Sequence, residues 1–328
     1  MSDDDTIDDA IHVPPPEEII LYEKDPDTKI ATITFNRPEQ LNIPTIGARR
    51  RYGDLIFRAS VDDDVKVLVV RGVGSDLGTG ADLDELMAKQ AAGTALHEEY
   101  GIDPDEDVSM PGPRSYRAGA GLVHWYANPR AGCRSLQEFK KISILEVKGY
   151  CYGWHFYQAA DADLVISSDD ALFGHPAFRY VGYAPRMWQW ATMMGLRKFQ
   201  EMVFTGRPFT AEEMYECNFL NSVVPRDQLE DEVAKYASAC SQTRPTDTVF
   251  MQKVFFEVMK QQQGEYMGSL LSAWMESMGS LLREDGTGRR ATITDETMDA
   301  GLNVTVKDND SRFPPEWRLS RSGRRRTE

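Results

Sequence analysis

No stretch of this chain approaches the roughly 20 consecutive apolar residues that a membrane-spanning helix needs. The first residues, MSDDDTIDDA, lack the basic start and apolar stretch of a secretory signal. These absences predict a cytoplasmic protein with no membrane partner. Cysteine is scarce: Cys133, Cys151, Cys217 and Cys240 lie far apart and form no C-x-x-C pair. That spacing argues against a disulfide framework and against a zinc site, so no metal is expected. Positive charge is also short. Against 52 Asp and Glu stand 37 Lys and Arg, a net charge of −15, so most of the surface repels nucleic acid and no such partner is expected. The C-terminal run RLSRSGRRRTE is the local exception. It reads first as a solvated tail; the alternative is a small anion-binding patch for a phosphate-bearing ligand on a neighbouring subunit.

What is present is an α/β pattern over a chain of 328 residues, long enough for one large domain or two smaller ones. Residues 1–17 are acidic and then proline-rich (HVPPPEE), which predicts a disordered or loosely held arm. KIATITFN (29–36) alternates, with Ala31, Ile33 and Phe35 on one face, as a half-buried strand does. RPEQLN then turns the chain. RRRYGDLIFRAS (49–60) places Tyr52, Leu55, Ile56 and Ala59 at helical spacing, and VKVLVVRG (65–72) is a continuous apolar run, hence a buried strand. GSDLGTGADLDELM (74–87) is a glycine-rich turn running into a helix. ISILEVKG (142–149) is the next strand, followed by a helix from about Trp154 and a strand at ADLVISS (162–168).

PFTAEEMYECNFL (208–220) opens a helix with a capping box, Thr210 with Glu213 three residues on. Residues 221–240 give a short strand and then a helix, and the Met- and Leu-rich region 246–284 has the helical spacing of a packing surface. Alternation up to residue 240 with helices beyond predicts an α/β core and a helical C-terminal extension. Residues 88–137 stand apart. They hold GIDPDEDVSMPGP and the aromatic cluster HWY (124–126), as a lid or an interface segment does.

Two glycine turns each precede a helix: GTGADL (78–83) and the turn inside KGYCYGWHFYQAADADLVI (148–166). With FNRPEQLN, ADADLVISSDDALFGHP and FTGRPFTAEEMYECNFLNSVVP they form an ordered series that resembles the crotonase (enoyl-CoA hydratase/isomerase) superfamily over roughly residues 28–260, with a break at 88–137. The resemblance implies a spiral of repeated ββα units and acyl-CoA thioester substrates, with coenzyme A part of the substrate and no separate cofactor. It also implies a homotrimer or a homohexamer. The expected layout is an arm (1–17), a core (18–245), a helical region for trimerisation (246–300) and a tail (301–328). By the family pattern the backbone N–H groups of Ala81 and Trp154 form an oxyanion hole. Helix N-termini favour negative charge through unpaired N–H groups and the helix dipole, and fixed donors of this kind stabilise a developing enolate.

The chain departs from the family where the family carries two glutamates. Those positions are Tyr157 and Ala177 here, so two-carboxylate acid–base chemistry is not expected. His175, His155 and Tyr157 are the candidate catalytic groups. If FGHPA is extended, His175 points the same way as residue 177 and is the leading base; otherwise it is a structural histidine. His155 lies in the first helical turn, where it would sit neutral and orient water or polarise a carbonyl, or be an ordinary first-turn residue. Tyr157 donates a hydrogen bond or acts as an acid, or fills space against Trp154.

Arg37, Gly80, Arg179 and Trp125 are candidate substrate-binding residues. Arg179 and Arg186 flank the loop RYVGYAPRM, either as a clamp for a carboxylate or CoA phosphate or as surface ion pairs. Asp82 reads as a turn or cap residue, and His97, Tyr100, His124, Trp125 and Tyr126 as a roof over the acyl pocket. Three readings follow. The first is an acyl-CoA-processing enzyme of hydratase or isomerase type. The second is a hydrolase that cleaves a C–C bond of a cyclic β-diketone (a cyclic ketone substrate), which would use His155 and His175. The third is a non-catalytic acyl-CoA-binding or assembly protein.

Overall fold

The computed structural model describes residues 13–80, 82–112, 134–179, 182–278 and 302–324. The predicted acidic arm up to residue 12, Ala81, the cluster His124–Trp125–Tyr126 and the last four residues, 325–328, lie outside them.

A six-stranded sheet is the frame. Its strands are β1 (Ile20–Asp25), β2 (Ile30–Phe35), β3 (Val67–Gly72), β4 (Ile142–Val147), β6 (Leu164–Ser168) and β9 (Ser222–Val224), in spatial order β1-β2-β3-β4-β6-β9. β1 runs antiparallel to β2, and every later pairing is parallel. A second sheet, β5 (Tyr150–Tyr152), β7 (Leu172–Gly174) and β8 (Phe209–Thr210), has β5 parallel to β7 and β7 antiparallel to β8. An isolated parallel bridge, Gly78 with Cys151, brings the first glycine turn to the edge of this small sheet.

Patterning explains the layers. β2 buries Ala31, Ile33 and Phe35 and leaves the alternate residues half-exposed, as its period-2 sequence dictates. β3 and β4 are covered on both faces and read as continuous apolar runs. On one face, helix α1 (Ile46–Val61) buries Tyr52, Leu55, Ile56 and Ala59 against the sheet. Its N-cap is Thr45, whose Oγ1 accepts from Ala48 N at 3.1 Å.

Downstream come α2 (Leu83–Ala92), α3 (Ala95–Tyr100), α4 (Trp154–Asp161), α5 (Met187–Met194), α6 (Leu196–Thr205) and α7 (Ala211–Glu216). The predicted capping box holds: Glu213 N donates to Thr210 Oγ1 at 3.3 Å, and Thr210 N donates to the Glu213 carboxylate at 2.9 Å. On the opposite face, α8 (Leu229–Gln242) packs Leu229, Val233 and Ala237 on Val67, Val69, Ile144 and Ile166. Then follow α9 (Thr246–Gln262), α10 (Glu265–Met278) and, after an undescribed stretch, α11 (Leu302–Ser311).

Two expectations are corrected. FGHPA is not extended: Pro176–Arg179 is a 3₁₀ turn, closed by Phe178 N on His175 O at 3.0 Å. Proline suits the first position of such a turn because its φ is preset and it has no N–H to lose. Strand alternation therefore does not align His175 with residue 177. Nor is the described part of the C-terminal run, residues 318–324, a solvated tail. Tyr152 Oη donates to Leu319 O at 2.8 Å, and the Arg321 guanidinium lies 4.2 Å from the Tyr150 ring centroid while pairing with Asp76.

Candidate functional site

The first glycine turn leaves β3 and is fixed from several sides. The Asn42 side chain accepts from Arg37 N at 2.9 Å and donates to Val73 O at 3.0 Å and Asp76 O at 2.9 Å. The Asp76 carboxylate accepts from Tyr150 N at 2.8 Å. Main-chain bonds then zip the turn to β5: Leu77 N to Lys148 O, Gly78 N to Tyr150 O and Tyr152 N to Gly78 O, all between 2.8 and 3.0 Å. Asp82 caps the following helix, its Oδ1 accepting from Glu85 N at 3.0 Å, as its sequence position predicts. Arg37, almost fully buried, holds Asp82 Oδ2 at 2.8 Å and Ile43 O at 3.3 Å. Its Nη1 is thus spent on the architecture of the turn.

The second turn ends β5 at Gly153, with φ +57° and ψ −119°. Only glycine takes that conformation without strain. A Cβ at Gly153 would stand 2.7 Å from Gly80 Cα and 3.2 Å from Gly80 N. The two turns therefore touch through bare backbone, and the start of α4 lies beside the segment that leads into α2. Main-chain N–H groups in a helix's first turn have no partner within the helix, so α4 offers donors at this junction.

Every residue of α4 is buried, and its side chains point to different tasks. His155 is fully enclosed. Its Nδ1 lies 3.1 Å from Thr79 O, and its ring meets Phe35 edge-on at 4.7 Å and Trp154 at 5.2 Å. Burial pushes its pKa down to about 3, opposed by the bond to Thr79. This corrects the expectation of a substrate-facing His155: the imidazole is wedged behind the first turn, where a Cβ on Gly78 would collide with it.

Tyr157 and His175 do come together, with ring centroids 5.5 Å apart, both largely buried. Phe178 (5.0 Å) and Trp190 (5.7 Å) complete the surround of His175. Burial lowers its pKa to about 3. Among the described residues, neither ring nitrogen has a partner in bonding geometry; the nearby Tyr183 main chain opposes the shift only in part.

Arg179 is placed away from this pair. Its guanidinium donates to Gly206 O (2.9 Å), Asp310 Oδ1 (2.9 Å) and Trp317 O (2.7 Å), and covers the Phe313 ring. It anchors the C-terminal segment, which corrects the expectation of a substrate clamp. Arg186 is no surface pair either. It is buried between Asp161 and Glu265, with Glu265 Oε1 and Ser269 Oγ each at 2.9 Å. Arg134 joins through Glu265 and Glu138. Burial raises Asp161 to about 6 against the pull of Arg186. Burial also acts to raise Glu265, but Arg134 and Arg186 outweigh it and hold the carboxyl at about 2. No sequence signal announces this network, because its members come from four distant segments. Gly80 stays at the junction, Ala81 and Trp125 are outside the described residues, and no group of three or more potential metal ligands occurs among the described residues.

Residues 126–274 match the family described as enoyl-CoA hydratase/isomerase. A putative enoyl-CoA hydratase of Mycobacterium tuberculosis is 27% identical over 227 residues, covering 67% of this chain and 68% of that protein. A mevalonyl-coenzyme A hydratase of Aspergillus fumigatus is 26% identical over 225 residues, covering 67% and 72%. Among solved structures, an enoyl-CoA hydratase of Mycobacterium smegmatis superposes with a TM-score of 0.73 at 22% identity, covering 90% of this chain and 94% of that one. A probable enoyl-CoA hydratase of Mycobacterium thermoresistibile gives 0.62 at 26% identity, covering 79% and 94%. Motif order, fold and these relatives agree in one likeness, to the crotonase (enoyl-CoA hydratase/isomerase) superfamily.

Proposed function

We propose that this chain processes acyl-CoA thioesters, holding the thioester oxygen between the main-chain N–H groups of Ala81 and Trp154 while it takes on enolate character. The observation that carries this reading is the contact of the two turns, Gly153 against Gly80 at 2.7 Å. It brings the start of α4 beside the residue that precedes Ala81. Two fixed donors on one oxygen are worth a few kcal/mol each in the transition state. The hydratase names of the relatives support hydration of an enoyl group as the parent reaction.

Proton transfer falls to Tyr157 and His175 in place of carboxylates. At neutral pH His175 is an uncharged imidazole. An oxyanion forming nearby raises its basicity at the moment the proton moves. The C–C hydrolase reading drew on two histidines, and it loses His155 to the interior. A non-catalytic binding role draws support from the aromatic surround of His175. The exposed apolar face of α9 and α10, with Phe250, Met251, Phe255, Met267 and Trp274, supports a homotrimer or its hexamer.

Calorimetric titration with straight-chain and cyclic enoyl-CoA esters, against free CoA and a cyclic β-diketone, tests the reading. Tight binding of one thioester, with turnover that His175→Ala reduces at least about tenfold, is the expected result. Binding of the diketone alone would remove the thioester reading. Thioester binding with no turnover in any variant would leave the binding role.

A further inference from the structure

We propose that His155 is a positioning residue that locks the first glycine turn to the second and so fixes the spacing of the two main-chain donors; this rests on the oxyanion reading above. The first turn is tied to β5 and the 37–42 loop up to Thr79, whose N–H donates to Leu41 O at 3.0 Å. The Thr79 carbonyl is two residues from Ala81, and its partner is His155 Nδ1 at 3.1 Å. His155 in turn follows Trp154 directly. One imidazole therefore spans from the residue beside one donor to the carbonyl leading to the other.

The chemistry fixes the tautomer. A carbonyl oxygen only accepts, so Nδ1 carries the hydrogen and Nε2 is bare. Nε2 is buried without a partner among the described residues, which unsuits the ring for acid–base work and costs stability. Retaining that cost is consistent with a ring held for its position. The site is shaped around it: Gly78 has room for the ring because it lacks a Cβ, and Phe35 and Trp154 hold the ring edge-on.

Hydrogen exchange by mass spectrometry on the full-length chain tests the lock. His155→Asn keeps an N–H near the place of Nδ1, while His155→Leu fills the volume without a donor. The lock predicts that amides in 76–85 exchange roughly threefold to tenfold faster in the Leu variant, with the rest of the chain unchanged, and that Asn restores protection. Equal exchange in wild type and the Leu variant overturns the proposal. So does equal loosening by Leu and Asn, which would mean that ring packing matters and the bond does not.

Should the Leu variant fail to fold, ¹⁵N spectra of the wild-type ring decide the matter. Nδ1 protonated and Nε2 bare from pH 5 to 8 is expected; the Nε2–H tautomer refutes the lock. Turnover of a four-carbon enoyl-CoA supplies a separate arm. There kcat falls in the Leu variant while KM holds, and Asn recovers part of the loss. If wild type neither binds nor turns over that thioester, the functional reading fails, and the exchange data still judge the lock.

Discussion

Replacing Gly153 with alanine tests the junction most directly. The new Cβ meets two penalties. A non-glycine residue at φ +57°, ψ −119° carries strain of about 1–3 kcal/mol. The Cβ would also lie 2.7 Å from Gly80 Cα, where ordinary contact begins near 3.4 Å. The difference, 3.4 − 2.7 = 0.7 Å, must come from the two turns moving apart, and such overpacking costs about 1–3 kcal/mol. The expected loss in urea unfolding is therefore roughly 2–6 kcal/mol. If the turns do part by most of that distance, turnover of a bound thioester drops by up to about 100-fold. Gly80→Ala is the control, because nothing lies within 4 Å of a Cβ there. Its stability should stay within about 0.5 kcal/mol of wild type, while its methyl enters the space proposed for the thioester and raises KM. A Gly153→Ala protein as stable as wild type, or one indistinguishable from Gly80→Ala, would refute the close contact on which the functional reading stands.

Three further outcomes follow from the geometry. His155 and His175, both held near pKa 3 by burial against an ordinary 6.5, refuse protons that the unfolded chain accepts. Stability is thus full above pH 6.5 and lost as pH falls toward 3, at up to about 1.4 kcal/mol per pH unit per histidine. Asp161, raised from 3.8 to about 6, acts in the opposite sense between those values, so urea midpoints of His175→Phe and wild type should be compared across pH, the variant showing a slope shallower by about one proton. Asn42→Ala leaves Arg37 N, Val73 O and Asp76 O without their partner and should cost about 3 kcal/mol, read by thermal or urea unfolding. Arg179→Ala strands buried Asp310 and frees Gly206 O and Trp317 O; it should cost about 3 kcal/mol and open residues 302–324 to limited proteolysis, with the helical signal otherwise kept.

Local pattern made much of the frame legible. The alternation of β2, the apolar run of β3, the amphipathic α1 and the capping box at Thr210 each stand in the sequence as they stand in the fold, because each depends on neighbours within a few residues. β1 and the small sheet β5-β7-β8 were not legible. The strands of the small sheet are two or three residues long, too short for periodicity to separate from loop, and β1 is mostly exposed beyond Ile20, with no alternation to read. FGHPA misled because a dipeptide ending in proline reads equally as extended chain or as the start of a turn. The C-terminal run misled for another reason. Its arginines look solvated in sequence, but Tyr150 and Asp76, which receive Arg321, are distant in the chain. The same distance hid the tie from Asp161 through Arg186 to Glu265.

These observations also answer why polar and aromatic residues crowd helix α4. A helix with all eight residues buried has no solvent face on which to place a polar side chain cheaply. Gln158 bonds within the helix, its Nε2 donating to Trp154 O at 3.5 Å, and three others reach to different elements. His155 turns to the first glycine turn, Tyr157 to His175, and Asp161 to the ion network under α10. Trp154 and His155 pack edge-on against Phe35 of the main sheet. The helix is thereby oriented along its whole length by groups that do not touch the proposed oxygen. In the function proposed above, Tyr157 and His175 are the described residues to which proton transfer falls. On that reading, a change of reaction type in this scaffold acts through that pair. Exchanging Tyr157 for glutamate without relieving the aromatic wall of Trp190 and Phe178 would bury a carboxylate among aromatic rings, whose desolvation keeps it protonated at neutral pH. Tyr157→Glu should therefore gain no hydratase activity at pH 7. Any activity it acquires should appear only as pH rises through the elevated pKa of the new carboxyl, which a pH–rate profile of the variant would read.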